Sequence, residues 1–432
     1  MDHRNFLWLP VYGRHGRYLA FILALFSPWS TAVYGTTPSQ VLTLPQAISR
    51  ALDKHPDLSL FEYRFKAVSG AALNADQAPA YELGLEFENL LGSGALNGVD
   101  AAEYTLALSS VIELGDKRQS RKRLASEQHA LVEAERTAEA LKLLGRVTRA
   151  FIRALSLQEK IRLGETSVAL AESSREMIKQ RVERGATPEA EDLRAKVLLA
   201  QRRLELETLK SQFDAALVEL ATLFGEETPA FTTLEGEIYA FATVPDFAAL
   251  FQRASENPAI AILASEVRVR EAELELIRSQ SRSDINWRLG IRHLEESSDS
   301  ALVAGFSLPL GSAHRNRGQV QSGHAALAET GLRRDSALLT LRAGLYHAWR
   351  QYQQGVAAVR TLQEHIIPDL ERALALTRSA YLRGRYRYIE WQAAQNDLLS
   401  AQQTLVESAS AALLNQALIE QLTGQPLIAR DL

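Results

Sequence analysis

Side chains that commonly bind metals or act as nucleophiles are scarce in this sequence and do not form a group. The 432 residues include nine histidines and no cysteine, which excludes disulfides, thiolate metal sites and a cysteine nucleophile. His314 and His324 are ten residues apart, and His347 and His365 lie far apart on one predicted helix. The motifs HExxH, GxSxG and GxxxxGK[ST] are absent. We therefore predict no enzymatic activity, no catalytic residue, no metal site and no cofactor.

Acidic side chains recur at alternate positions in two short segments, 81–90 (YELGLEFENL) and 102–114. The acids are Glu82, Glu86, Glu88, Glu103 and Glu113. Carboxylates that line a pore favour cations. Arg288 and Arg292, in a third alternating segment at 284–292, weaken that preference for cations.

The alternation predicts strands with one apolar and one polar face. Segments 81–90 and 102–114 form a predicted hairpin (81–114), and segments 284–292 and 301–310 form a second (284–310), each joined by a polar loop. Two interpretations remain open at this point. The strands form either a small antiparallel sheet whose polar face meets water, or part of a transmembrane barrel with its apolar face outward.

An internal repeat organises the chain. The glycine of an Arg-Gly pair occurs at Gly185 and again at Gly384, and a glycine ends a helical stretch at Gly225 and again at Gly424; both separations are 199 residues. We predict a first repeat at 36–233 and a second at 234–432. Each contains a short helix, a strand hairpin and a long helical hairpin, the latter at 117–225 and at 313–424.

The helical hairpins are too long for an ordinary globule. The stretch 117–183 contains no proline, and a helix of that length extends roughly 100 Å. Pro368 is expected to kink the corresponding helix of the second repeat. Such alanine-rich helices need neighbours on both sides. A soluble coiled-coil scaffold explains the helices but not the strands between them.

The strand count then indicates an oligomer. Four strands cannot close a barrel, which takes about eight to be filled and more to leave a channel. An open sheet edge is not tolerated in lipid. A hollow conduit therefore favours three copies and twelve strands.

The N-terminus is typical of a secretory signal peptide, predicted at 1–35. Basic residues precede a nine-residue apolar core at 18–26, and small residues follow at Val33 and Gly35. A transmembrane anchor is the alternative, but a spanning helix needs ~20 apolar residues. The net charge of −4 is near balance, and no nucleic-acid partner is predicted.

Three stretches resemble the TolC-type outer membrane efflux proteins: 42–48 (LTLPQAI), 86–92 (EFENLLG) and 108–118 (LSSVIELGDKR). Within that family the chain is most similar to the CzcC-like branch of cobalt–zinc–cadmium cation efflux. The resemblance implies a homotrimeric, twelve-stranded outer-membrane β-barrel continued by a long periplasmic α-helical barrel. It also implies a periplasmic adaptor protein and an inner-membrane RND-type pump as partners, in contact with outer membrane lipid. The implied function is the exit duct of a tripartite system that exports heavy-metal cations. Alternatives are a duct for drug efflux or type I secretion, or, in another class, a soluble periplasmic scaffold.

The resemblance also assigns roles to residues at the two helical turns. Those expected to contact the adaptor are Arg184, Gly185, Ala186, Thr187, Arg383, Gly384, Arg385 and Tyr386. Those expected to form a pore constriction are Glu390, Glu191, Asp192 and Tyr381. A second acid of the family pattern is missing, because Ala393 stands there. The simpler interpretations are that the two glycines only permit a left-handed turn residue, and that Glu390 is a solvated surface residue.

Overall fold

The computed structural model describes residues 41–427, so the predicted signal peptide at 1–35 lies outside the described residues. Among these residues are six strands: β1 (Val41–Thr43), β2 (Glu82–Glu88), β3 (Glu103–Ile112), β4 (Thr233–Glu235), β5 (Ile285–Leu294) and β6 (Asp299–Ser307). The same residues contain ten α-helices: α1 (Leu44–Lys54), α2 (Pro56–Ala75), α3 (Lys117–Glu183), α4 (Glu189–Thr222), α5 (Phe247–Ser255), α6 (Pro258–Gln280), α7 (Ser312–Arg315), α8 (Arg317–Thr361), α9 (Ile367–Leu382) and α10 (Tyr388–Thr423).

The two predicted hairpins join into one antiparallel sheet in the order β2-β3-β5-β6. One row across it contains Leu85, Leu106, Ile291 and Leu302, which are all exposed. The next row contains Glu86, Thr105 and Arg292. Because side chains alternate between faces along a strand, the sheet has one apolar face open to the surroundings and one charged face.

The helices that adjoin the sheet pack side by side in the same order as the strands to which they connect. Nearest the sheet, α2 packs on α3, α3 on α6, and α6 on α8. Further along, α4 packs on α3, α3 on α10, and α10 on α9. Hence α2 and α8 are the outer helices of the first group, and α4 and α9 are the outer helices of the second.

The main core lies where the two groups of helices meet. It contains Leu42 of β1 and Leu234 of β4, which form a short parallel pair, and Leu143 and Phe151 of α3. Helices α4 and α10 contribute Leu220 and Val406, among others. This core fixes α3 against α10 and so sets the relative position of the two repeats.

The first helix of the second helical hairpin, for which a kink at Pro368 is predicted, is interrupted. A π-helical turn, Leu362–Ile366, separates α8 from α9, and Pro368 lies in the first turn of α9. Proline has no N–H to donate to the preceding turn, and a π turn absorbs such a defect within a helix. The boundaries of the two repeats, 36–233 and 234–432, stay a prediction.

Candidate functional site: the charged sheet face and the helical tips

The acids of the charged sheet face are paired with arginines from β5. Arg288 forms an ion pair with Glu86. Arg292 lies 2.7 Å from Glu88 and 2.6 Å from Glu103. Acids and bases therefore alternate around this face, and the predicted preference for cations is weaker than the count of glutamates indicates.

The opposite face has aromatic pairs near both ends of the strands. Tyr81 lies edge-on to Trp287 with ring centroids 6.3 Å apart, and Phe87 lies edge-on to Tyr104 at 5.7 Å. Leucines such as Leu83 and Leu289 lie between the two pairs and are exposed. An outward apolar band with aromatic residues at both edges is typical of transmembrane strands.

The ELGDKR stretch, at 113–118, turns the chain from strand into helix. Gly115 and Asp116 have φ angles of +84° and +57°, and α3 begins at the next residue. Asp284 holds the turn in place: one carboxylate oxygen accepts from the Leu114 N–H at 3.0 Å, and the other lies 2.6 Å from the Lys117 ammonium group. Asp284 immediately precedes β5, so the two hairpins are tied together at this junction.

The helical tips are two turns of the same design. Gly185 has a φ of +70° and donates to the Val182 carbonyl, while Ala186 donates to the Arg181 carbonyl, each at 2.9 Å. Gly384 has a φ of +73° and has equivalent bonds to Tyr381 and, from Arg385, to Ala380. Both turns are Schellman motifs that require a left-handed residue.

The structure places the eight predicted adaptor-contact residues on these two turns, and one arginine connects them. The Arg181 guanidinium donates to the Leu382 carbonyl at 3.3 Å and lies 5.0 Å from the centre of the Tyr381 ring. Its Nε donates to the Thr187 hydroxyl at 3.4 Å. The two tips therefore form one surface.

Beneath the tips lies an aromatic cluster that the sequence prediction missed, apart from Tyr381. Tyr381, Tyr388 and Trp391 have ring centroids 5.2 to 6.4 Å apart. They pack on Ile178 of α3 and Ala195 of α4. Tyr388 and Trp391 are three residues apart on α10 and so share one face of that helix, which is the signal that could have identified them. Tyr381 lies on α9 and reaches them across the turn.

The predicted constriction residues divide into two environments. Glu191 and Asp192 at the start of α4 each have one buried carboxylate oxygen without a hydrogen-bond partner among the described residues. The Tyr381 hydroxyl lies near Glu191 and Thr187 without good hydrogen-bond geometry to either. Burial, and then the Glu191 carboxylate, raise the pKa of Tyr381; burial raises that of Tyr388 to about 12.

Glu390 is separate from this group and faces solvent. It accepts from the Arg387 backbone N–H at 2.9 Å and from the Arg387 guanidinium at 3.2 Å. Desolvation raises the pKa of Glu390, but hydrogen bonds from its own backbone and from Arg387 outweigh it, and the net pKa is lowered. Its carboxylate is therefore charged at neutral pH and caps the first turn of α10.

None of the helices within residues 41–427 is both long enough and apolar enough to cross a membrane.

Comparison with known proteins supports the resemblance to outer membrane efflux proteins. A family model described as outer membrane efflux protein matches residues 47–226. The chain is 25% identical, over 370 residues, to the cobalt-zinc-cadmium resistance protein CzcC of Cupriavidus metallidurans, covering 85% of this chain and 84% of the relative. Over most of its length the chain is therefore similar to outer membrane efflux proteins.

Two further similarities agree with this resemblance. The chain is 25% identical over 250 residues to the pyoverdine export outer membrane protein OpmQ of Pseudomonas aeruginosa, covering 55% of this chain and 53% of that one. Its fold is similar to that of CusC, with a TM-score of 0.72, 15% identity and coverage of 88% and 92% of the two chains.

These findings confirm several predictions from the sequence. The resemblance to TolC-type efflux proteins is confirmed, as is a fold that combines membrane strands with long helices. The predicted location in the outer membrane of a Gram-negative cell, with the helical part in the periplasm, is also confirmed. A channel of this family is not an enzyme, and the soluble scaffold alternative is wrong.

Proposed function

We propose that three copies of the chain close into the exit duct of a tripartite efflux system that carries heavy-metal cations across the outer membrane. The observation that carries the proposal is the open, two-faced sheet. Strands β2 and β6 are its edges, and each edge presents backbone groups that must be paired in lipid. Head-to-tail pairing of β6 with β2 of the next copy satisfies both edges at once.

The strands have the dimensions that such a wall requires. Strands β3 and β5 each have ten residues, and a tilted transmembrane strand needs about 9–11. Two copies supply only eight strands, a number whose interior is filled by side chains, whereas three supply twelve and leave a lumen. The charged face then lines the lumen and the apolar face meets lipid.

The helices nearest the sheet carry matching apolar stripes on their outer sides. On α8, Leu332, Leu339 and Tyr346 are exposed at intervals of seven residues. On α2, Tyr63 and Leu73 are about 70% exposed. Exposure of aligned apolar residues on opposite edges of one subunit favours a heterologous, ring-closing contact, with α8 packed against α2 of the next copy.

The second group of helices repeats the arrangement. On α4, Val197, Leu204 and Val218 are exposed, at spacings of seven and fourteen residues. On the opposite edge, Leu376 of α9 is 70% exposed. Contact between α4 and α9 of neighbouring copies continues the ring below the membrane as a helical barrel. In this assembly, each of the repeats 36–233 and 234–432 contributes two strands and one helical hairpin per copy.

The tips are the proposed docking surface for the adaptor. Each exposes a glycine turn, and Tyr386 and Ile389 beside the second turn are about half exposed. An inner-membrane RND-type pump completes the system. Glu390 and the Glu191–Asp192 pair are the proposed constriction, where threefold symmetry brings carboxylates together and attracts cations.

The proposed cargo rests on the similarity to CzcC, which covers most of both chains. OpmQ, which matches about half of the chain, favours a second candidate: a duct for small organic molecules. Deletion in the host bacterium separates the two. We expect lower tolerance of zinc, cobalt and cadmium, restored by the wild-type gene. Unchanged metal tolerance with loss of siderophore or drug export would support the second candidate instead.

Covalent cross-linking tests the ring. The chain has no cysteine, so a Leu85→Cys/Leu302→Cys variant carries only the two introduced thiols. These positions lie on opposite edges of one sheet, about 14 Å apart across three strand spacings. Closure of a barrel staggers the register between the two edges, so Leu302→Cys is combined in turn with a cysteine at each outward-facing position of β2. The combination that brings two thiols together should join neighbouring copies through a bismaleimide too short to span one sheet, and give denatured bands of one, two and three chains.

Single-cysteine variants are the matched control, because equivalent positions in a ring are four strands apart, or about 19 Å. They should yield only monomers. A dimer band from none of the double variants, or a ladder beyond three chains, would contradict the closed trimer.

A further inference from the structure

Two carboxylates oppose each other directly on the charged face of the sheet. Glu88 of β2 is the register partner of Glu103 of β3. Like charges at directly opposed positions destabilise a sheet. Carboxylate pairs at this separation also supply the oxygen ligands that divalent cations prefer.

Arg292 of β5 lies between these two carboxylates and uses all three guanidinium nitrogens. Nη1 donates to Glu103 at 2.6 Å, and Nε donates to the Thr105 hydroxyl at 3.0 Å. Nη2 lies 2.7 Å from Glu88 Oε2, an ion pair outside hydrogen-bond geometry. The Arg292 side chain is only 30% exposed.

The surroundings hold this arrangement in place. Thr105 is fully buried. Asn89 donates to the second Glu103 oxygen at 3.0 Å. Arg288 provides a contrast, because its ion pair is with the single carboxylate of Glu86. The Arg292 position is therefore a built site that joins three strands.

We propose that Arg292 is a resident counter-cation that prevents Glu88 and Glu103 from binding the divalent cations that the duct exports. Arginine stays charged at every pH that the protein meets. It permanently cancels one of the two negative charges of the carboxylate pair and contacts both carboxylates, in three copies around the lumen. Conduction requires that an ion binds weakly enough to leave, and a carboxylate pair without Arg292 would retain the cargo at the exit.

The inference rests on the proposed duct, and bilayer conductance tests it. Wild-type and Arg292→Gln channels are recorded in KCl before and after addition of CaCl2. Carboxylate sites of modest quality bind Ca²⁺ with dissociation constants of about 0.1–1 mM. About 1 mM Ca²⁺ should therefore lower the conductance of Arg292→Gln about twofold, while the wild type changes little.

Two control variants isolate the carboxylate pair. Arg288→Gln leaves one carboxylate unpaired and should be far less sensitive to Ca²⁺. The triple variant Glu88→Gln/Glu103→Gln/Arg292→Gln has no ligands and should be insensitive. Equal block of wild-type and Arg292→Gln channels, or no block of either, would overturn the inference. A wild-type protein that forms no channel would refute the proposed duct instead.

Assembly provides a second readout if Arg292→Gln does not form channels. The repulsion between Glu88 and Glu103 would then be the cause, so Ca²⁺ during refolding should restore the folded, heat-modifiable species on gels. The triple variant should assemble without Ca²⁺. Assembly of the triple variant combined with no rescue of Arg292→Gln by Ca²⁺ would also overturn the inference.

Discussion

The aromatic cluster beneath the tips should control how readily the tips open. Trp391 is 2% exposed and its ring lies 5.2 Å from that of Tyr381 and 6.1 Å from that of Tyr388. Replacing a buried tryptophan by alanine costs about 3–5 kcal/mol. Since the cluster joins both helical hairpins, Trp391→Ala should weaken the tips without unfolding the main core.

Hydrogen–deuterium exchange of the assembled channel measures this effect. A loss of about 3 kcal/mol raises the population of locally open tips roughly 150-fold. The amide hydrogens of peptides that cover 176–195 and 378–395 should therefore exchange roughly 150-fold faster than in the wild type. Trp391→Phe should have a smaller effect, about 1 kcal/mol, because the indole N–H has no hydrogen-bond partner among the described residues.

Trp349 provides a matched control. It belongs to a separate aromatic cluster with Phe247 and donates to the Pro245 carbonyl at 3.3 Å. Trp349→Ala should accelerate exchange around α5 and leave the tips unchanged. Unchanged tip exchange in Trp391→Ala would refute the idea that this cluster holds the two hairpins together.

Three further predictions concern the turns, the junction and the constriction. Gly384→Ala should destabilise the tip by about 1–2 kcal/mol, because it forces alanine into a left-handed conformation. The control Gly344→Ala has equally free space for the added methyl group but lies within a helix, and should stabilise the protein by about 0.5–1 kcal/mol. Equal shifts of the two variants in thermal denaturation would contradict this prediction. Asp284→Asn removes the charge that pairs with the largely buried Lys117 ammonium and should cost about 2 kcal/mol. The loss should be seen as disappearance of heat-resistant channels at a lower temperature, and an unchanged midpoint would refute it. The lowered pKa of Glu390 means that its contribution is present above the ordinary value of 4.5 and is lost as the pH falls through the lowered pKa. At pH 7, Glu390→Ala should therefore speed tip exchange, and should also raise single-channel conductance if Glu390 gates the pore; unchanged conductance and ion preference would exclude that role.

Local features of the fold were predictable from the sequence. The alternation in 81–90 and 102–114 predicts strands, and the structure has β2 and β3 there. The two Arg-Gly pairs predict turns, and both glycines have positive φ. Such features depend on side-chain period and backbone conformation, which neighbouring residues decide.

Long-range pairings were not predictable in the same way. The pairing of β3 with β5 joins the two repeats, and a period of two does not specify the partner of a strand. Arg181 was missed although it connects both tips, because its contact to Leu382 spans 201 residues. The ion pairs of Arg292 likewise depend on register across three strands, which cannot be read from any one of them.

The central claim is that three copies form a duct, and purified protein tests it most directly. The oligomeric mass in detergent and the single-channel conductance in a lipid bilayer are measured on the same preparation. We predict a mass of three chains and a small conductance, as expected for a duct that is closed until its adaptor and pump bind. A monomer or dimer, or a trimer that inserts without conducting, would contradict the account.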